Sequence, residues 1–485
     1  MPAPGRTVAP PLVLALALGL FAAATGVSGF ARTGDEPGIE GTITDSATGE
    51  PIAAVNVRIL GTSMGTVSNA DGRYRLPLEP GRHLVVFSHL AYAADTVELM
   101  PADRTRRLDV ILQPATLIYP EVLVLAEDPA LEIIRKAIAN KHAWMDRLKS
   151  YRFEAYTRQV VDRDTSVASI TEAFTVGWVL SGDTLRERVI RKRQTANVPM
   201  EENFAAVRRL VNFNDDRISL FSVRMSSERR SYTFVGPTAP EALDNYDYRL
   251  VGTRRSGGIQ MYEIEMTPRS KLKPLFRGTI TIADRSFAVV GVDLVPNETF
   301  NFPFLRDIRL RYRQQFALYD SLFWMPADIR IEGGFNVSFA GLGIPRVGFR
   351  QVSSIYDYAL NVPVPDSVLH QRTVTTDSLA GVYDSTTWNS KMVVPLTIGE
   401  SSAYRTLDST ETLEKQFRPG GVLGSLGGDE TNGAGSLLGM IDARYTRVEG
   451  LYLGGSKEFR ITGGNATLGM AAGYGFSDRR GQFTG

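Results

Sequence analysis

The chain is predicted to be mainly β: a small β-sandwich, then a helix with an antiparallel, half-barrel-like sheet, then the first strands of an outer-membrane β-barrel. Three observations carry this. Between Gly38 and Pro114 short alternating apolar segments recur with turn residues between them, the spacing of a sandwich. From Tyr151 the apolar period becomes two and stays there as far as Ala359, as in consecutive half-buried strands. From Met440 to Gly485, Ala443, Tyr445, Leu451, Leu453, Leu468, Met470 and Tyr474 alternate imperfectly among glycines, the weak per-strand signature of a membrane barrel.

With 485 residues the chain has room for two or three domains with separate cores. A net charge of +1 argues against a nucleic-acid partner, which would call for a basic excess. The absence of cysteine removes disulfides, thiolate nucleophiles and cysteine-based metal sites together. Residues 1–30 read as a secretory signal peptide: Arg6, the apolar run Pro11 to Ala24, then small residues. No later run approaches eighteen apolar residues, so any further membrane insertion would be by strands.

Residues 37–115 form the predicted sandwich. Ile52, Val55, Val57 and Ile59 alternate against Asn56 and Arg58, giving a strand with one apolar face. Asp71-Gly72 is a turn dipeptide whose glycine accepts φ > 0, after which Tyr74 can point inward. Gly61-Thr62-Ser63-Met64-Gly65 fits the G-x-S-x-G nucleophile elbow. That motif needs a helix after it, whereas Thr66 leads to another turn and strand, so Ser63 is read as part of a loop. Asn69-Ala70-Asp71-Gly72 has part of a calcium-loop pattern without its further acidic ligands, and a β-turn is expected. On Gly41, Gly49-Glu50-Pro51, Thr66, Asp71, Gly72 and Tyr74 the stretch resembles the carboxypeptidase-regulatory-like domain, a transthyretin-like sandwich also found at the N-termini of TonB-dependent receptors. The resemblance implies a structural or contact-making module and no peptidase activity.

Residues 116–360 are read as a helix-plus-antiparallel-sheet domain. Asp128 as N-cap, Pro129 at the first helical position and Glu132 in the first turn start the helix. Leu131, Ile134, Ile138, Met145 and Leu148 are its expected apolar stripe, with His142 on it. The stretch Phe276 to Pro296 is similar to the half-barrel sheet of lipoprotein-sorting carriers. Arg309, Arg311 and Arg313 share one strand face, a candidate anion or lipid-contact face, weighed against a solvated row balanced by nearby acids.

Residues 361–438 are a linker. In it Thr397-Ile398-Gly399-Glu400 is a capping box expected to start a helix running to about Phe417. Residues 439–485 are the start of a barrel that the sequence does not complete. Glu127 to the end, above all Ala126 to Ala130, Tyr151 with Phe153 and Tyr156, and Arg447 to Leu451, resembles a bacterial outer-membrane envelope family of unknown function with this domain order. The resemblance implies export across the inner membrane, a periplasmic region, outer-membrane lipid around the barrel, and an envelope partner met through the sandwich in transport, export or assembly. The alternative readings are a periplasmic lipid or lipoprotein carrier module, and a hydrolase acting at Ser63 or in the missing barrel. Neither H-E-x-x-H, a Walker loop nor a dinucleotide turn occurs, so no catalytic residue, metal ligand or cofactor is expected.

Overall fold

A computed structural model describes residues 37–100, 105–119, 128–180, 185–195, 210–225, 228–297, 305–339, 342–343, 345–370, 373–382, 388, 391, 394–407, 416, 441–446, 450–460, 467–475 and 480–484. The predicted signal peptide, the acidic pair Glu201-Glu202 and the Gly-rich stretch after Arg418 lie outside these residues. None of the described helices is long and apolar enough to cross a membrane.

The fold is mainly β. The N-terminal sandwich packs two sheets. One holds β1 (Gly38–Asp45), pairing with β4 (Arg73–Pro77) antiparallel and with β7 (Thr105–Arg107) and β8 (Val110–Leu112) parallel. The other runs in the order β3 (Gly65–Val67), β2 (Asn56–Ile59), β5 (His83–Ser88), β6 (Asp95–Leu99), all antiparallel. The core is Ile39, Ile43, Val55, Val57, Val67, Leu76, Val85 and Phe87 with their neighbours. Gly72 takes the left-handed conformation the turn requires (φ 70°), and Tyr74 turns inward, its hydroxyl donating to the Leu108 carbonyl at 2.7 Å.

The helix α1 (Pro129–Met145) begins as the sequence demands: the Asp128 side chain accepts from Ala130 N–H. The same carboxylate accepts from Leu250 N–H at 3.2 Å, so the cap also fastens the helix to the sheet. The buried stripe is rotated from the predicted one. Ala130, Ile133, Ile134, Ala137, Lys141 and Trp144 are buried, while Leu131 and Ile138 pack at the margin. Ala130 and Ala137 thus share the buried face with Ile133, Ile134 and Trp144. His142 is half-buried.

Beneath the helix lies one open sheet. Its strands are β9 (Ser150–Arg163), β10 (Ser166–Leu180), β11 (Arg186–Gln194), β14 (Tyr246–Ser256), β15 (Ile259–Pro268), β16 (Phe276–Ala283), β17 (Val289–Pro296), β18 (Leu305–Tyr319), β19 (Phe323–Phe339), β21 (Val347–Leu360) and β22 (Val374–Thr376). The order is β14-β15-β16-β17-β18-β19-β21-β9-β10-β11-β22, antiparallel except for the last pair, with β20 (Leu342–Gly343) beside β19. A separate hairpin, β12 (Arg217–Met225) and β13 (Glu228–Val235), was not anticipated from the sequence. Phe213, Ile218 and Phe234 from the segment around it, with α1, fill the apolar face of β14 to β19, where Ile264, Met266, Phe276, Ile280, Leu294 and Ile329 meet them.

The short helices α2 (Ala242–Asn245) and α3 (Asp366–Leu369) and the longer α4 (Ile398–Thr406) complete the helical content named here. The last strands, β23 (Ile441–Thr446), β24 (Gly450–Arg460), β25 (Thr467–Gly475) and β26 (Arg480–Thr484), pair consecutively as a four-stranded antiparallel sheet, and no closed barrel is found among the described residues.

One close approach in the large sheet is testable. Gly177 pairs with Phe153 across the strands, and a Cβ on it would lie 2.1 Å from the Phe153 ring. The ring uses that space to pack against Tyr151 and Tyr358. Gly177→Ala is expected to displace the ring and lower stability by about 1–3 kcal/mol, read as a lower urea midpoint at unchanged slope.

Candidate functional site

The polar side of the sandwich strand β2 does not face water. Alternation puts Val55, Val57 and Ile59 in the sandwich core, and Asn56 and Arg58 against the large sheet. The two bodies meet along polar contacts. The Gln315 amide donates to the Ala54 carbonyl (2.7 Å), Arg330 to the Ser68 carbonyl (2.6 Å), Arg254 to the Ala115 carbonyl (3.1 Å), and Asp357 N–H to the Ser63 carbonyl (3.0 Å). Buried polar groups must be paired, and here each partner comes from the other domain.

The seam encloses three cavities of about 290, 300 and 510 Å³. The first and second share His89, Leu90, Met261 and Gln315, and the second and third share Arg58, Val86, Ser88 and Leu318. They thus follow one another along the seam, adjoining through these shared residues, and an inter-domain cleft is where small-molecule sites concentrate.

The first cavity is the charged end, where Arg254, Arg313, Arg330, Glu263, Asp328 and His89 converge. Arg254 is paired with Glu263 at 2.9 Å, and Arg330 lies 3.5 Å from Asp328. Burial drives the Asp328 carboxyl up to about 6, against the pull of Arg330 and the Gln315 N–H. Burial, reinforced by Arg330, Arg313 and Arg254, drives His89 down to about 4. The Ala91 N–H sits 3.1 Å from His89 Nδ1, which makes Nδ1 the acceptor and leaves the proton on Nε2. At neutral pH the site thus holds a neutral imidazole among guanidiniums.

A second buried cluster lies where the connector returns to the sheet. Glu172 is fully buried on β10. It accepts from the Tyr156 hydroxyl, from Arg193 and from the Tyr404 hydroxyl, the last at 2.8 Å. Burial alone would raise its carboxyl, but Arg193, Arg158 and Tyr156 hold it below the ordinary value. Arg158 reaches the Val394 and Pro395 carbonyls (2.8 and 3.1 Å) and Glu400 (3.2 Å). Glu400 closes the predicted capping box with Thr397. The sandwich joins this junction too: Asn69 donates to the Pro395 carbonyl (3.1 Å), and Asp71 accepts from Ile398 N–H (2.8 Å).

The sequence-singled residues fall as follows. Ser63 sits in the loop joining β2 to β3, which pair as a hairpin, so the strand-to-helix turn of a nucleophile elbow is not formed. Its side of the cleft is the third cavity, and no histidine lines it. Asn69 to Gly72 is an Asx-type turn, with Asn69 Oδ1 accepting from Asp71 and Arg73 N–H at 2.9 Å each. Arg311 is held bidentate by Asp293 at 2.6 Å, and Arg313 is paired with Glu332 and lines the first cavity. Arg309 is exposed. Reading by sequence missed Glu172, Arg158, Asp328 and His89 as site-forming residues. Charged residues at inward positions of apolar strands, as in Ile-Thr-Glu172-Ala-Phe, were the available signal.

Two measurements test these clusters. Asp328, raised in the folded chain, contributes stability that is complete below its unfolded pKa near 4 and is lost as pH rises through about 6. His89, lowered to about 4, contributes stability present above its unfolded value near 6.5 and lost as pH falls. Between pH 6 and 4 the two oppose each other. Asp328→Asn should therefore expose a loss of about 3 kcal/mol on acidification over that window, and His89→Gln a gain of similar size, in chemical denaturation followed against pH. Glu172→Gln should leave Arg193 without its counter-charge, and Arg158 with Glu400 alone, costing about 3–5 kcal/mol. Hydrogen exchange should speed first in α4.

Comparison with known proteins locates two segments. Residues 38–113 match the carboxypeptidase regulatory-like domain, and residues 133–344 match a family of unknown function, DUF5686. A TonB-dependent receptor of Formosa agariphila is 36% identical over 77 residues, 16% of this chain and 7% of that receptor, so the chain spans only a small part of this relative. Among solved structures, a DUF1329 family protein from Desulfovibrio piger is 15% identical, covering 50% of this chain and 97% of that one at a TM-score of 0.25. A putative outer membrane lipoprotein-sorting protein domain from Vibrio parahaemolyticus is 9% identical, covering 50% and 96% at a TM-score of 0.26. The chain thus joins a carboxypeptidase regulatory-like domain at its N-terminus to a segment similar to the DUF5686 family.

Proposed function

We propose that the protein is an outer-membrane-associated envelope protein whose sandwich and sheet act in the periplasm as one docked unit, holding a partner or substrate during transport, export or assembly. The unit acts by binding rather than by catalysis. The observation that supports this reading is the three-way junction. The sandwich turn at Asp71, the sheet at Arg158 and Glu172, and the connector at Pro395 to Glu400 are fastened to one another by polar contacts, buried at Arg158 and exposed at Asp71. The connector therefore leaves the cleft-bearing unit from one fixed point, an arrangement suited to a module presented beside a membrane anchor. The sandwich's similarity to part of a TonB-dependent receptor agrees with an envelope setting. The carrier alternative needs an apolar trough, and the apolar face of β14 to β19 is occupied by α1 and the segment around Phe213 and Phe234.

Fractionation of cells expressing the natural reading frame decides the matter. The protein should sediment with outer membranes and resist carbonate extraction, while the sandwich is cut by protease admitted to the periplasm. Recovery in the soluble periplasmic extract alone would end the proposal.

A further inference from the structure

We propose that the third cavity of the cleft binds an amphiphile with a single anionic head, a phosphate or carboxylate on an alkyl chain, and that Arg58 receives the head. The argument begins with charge balance. The arginines at the other end of the cleft have carboxylates beside them: Arg254 has Glu263, Arg330 has Asp328 and Arg313 has Glu332. Arg58 has no carboxylate partner among the described residues. Its Nη2 donates to the Thr62 carbonyl at 3.3 Å, its guanidinium lies 4.5 Å over the Tyr319 ring, and its Nε is buried without an acceptor. A planar guanidinium stacked on an aromatic ring and left with free donors is prepared for a bidentate oxyanion.

The backbone around it leaves room for this pose. Gly65 stands directly opposite Arg58 in the β2–β3 pair, and a Cβ there would lie 2.7 Å from Arg58 Cγ. Ser63, Ser88 and Ser321 line the same cavity, and a serine hydroxyl is a donor suited to oxygen atoms of the head. Asp320, the one carboxylate among the described lining residues, is exposed. The mouth is apolar: Leu60 is 58% and Leu318 41% exposed, both lining the cavity. A cation at depth and exposed leucines at the lip match a ligand with charge at one end and hydrocarbon at the other. The cavity of about 510 Å³, adjoining its 300 Å³ neighbour through shared lining residues, lies in the range of small-molecule sites.

The test is calorimetric titration of the full chain with octyl phosphate and with octanoate, each below its micellar concentration, beside inorganic phosphate and octyl glucoside. One molecule of octyl phosphate or octanoate should bind per chain, the tighter of the two identifying the head. Arg58→Gln should weaken that binding at least tenfold. Leu60→Asp, at an exposed position where folding is unaffected, should do the same by placing a carboxylate in the path of the head. Absence of binding by the unsubstituted chain, equal binding by either variant, or equal binding of phosphate alone or of octyl glucoside would overturn the proposal. The titration reads the cleft alone, so its failure leaves the cellular location standing, and the reverse holds as well.

Discussion

Glu172 is a carboxylate with no access to water, and the architecture around it keeps it supplied with donors. An ion buried without partners costs several kcal/mol, so β9, β11 and α4 must each deliver a side chain to it: Tyr156, Arg193 and Tyr404. Arg158, drawn into the same cluster, uses its remaining donors on the connector backbone at Val394 and Pro395. The demand of one charge therefore sets where the connector lies, and the connector in turn gives the sandwich turn at Asn69 and Asp71 something to hold.

The seam follows from the same logic. The outward face of β2 and β5 carries Asn56, Arg58 and Ser88, too polar to pack closely against hydrocarbon. The sheet answers with Gln315, Arg330 and Asp328 at one end and with Phe316, Leu318 and Trp324 further along. A joint made this way fills space poorly, because side chains that must satisfy hydrogen-bond geometry cannot also interdigitate freely. The cavities are the space left over, and their chemistry is inherited from the two faces that fail to close.

Local pattern carried much of the fold. The alternation from Tyr151 located the strands of the large sheet, and Asp128-Pro129 and Thr397 to Glu400 located both helix starts with their caps. The second of those helices ends at Thr406, where Leu407 turns extended, short of the Phe417 that the capping box and the following sequence suggest. The site was less legible. Period two says that Asn56 and Arg58 share a face but not whether that face meets water or another domain. Lys141 illustrates the same limit: on a helix it reads as solvated, yet it is buried and paired with Asp216 from a segment about seventy positions on. Such pairings depend on tertiary proximity, which no window of sequence contains.

The turn at Asp71 has a mechanical consequence. Its carboxylate accepts the first free amide of α4, while Tyr404 and Glu400 further along the same helix are tied to Glu172 and Arg158 of the large sheet, so a pull on the chain beyond that helix is felt first at the sheet and only afterwards at the hydrogen bond to the sandwich. The sandwich would thus be shielded from tension until the helix has come away from the sheet, and the order in which the two bodies feel a load is written into one short helix.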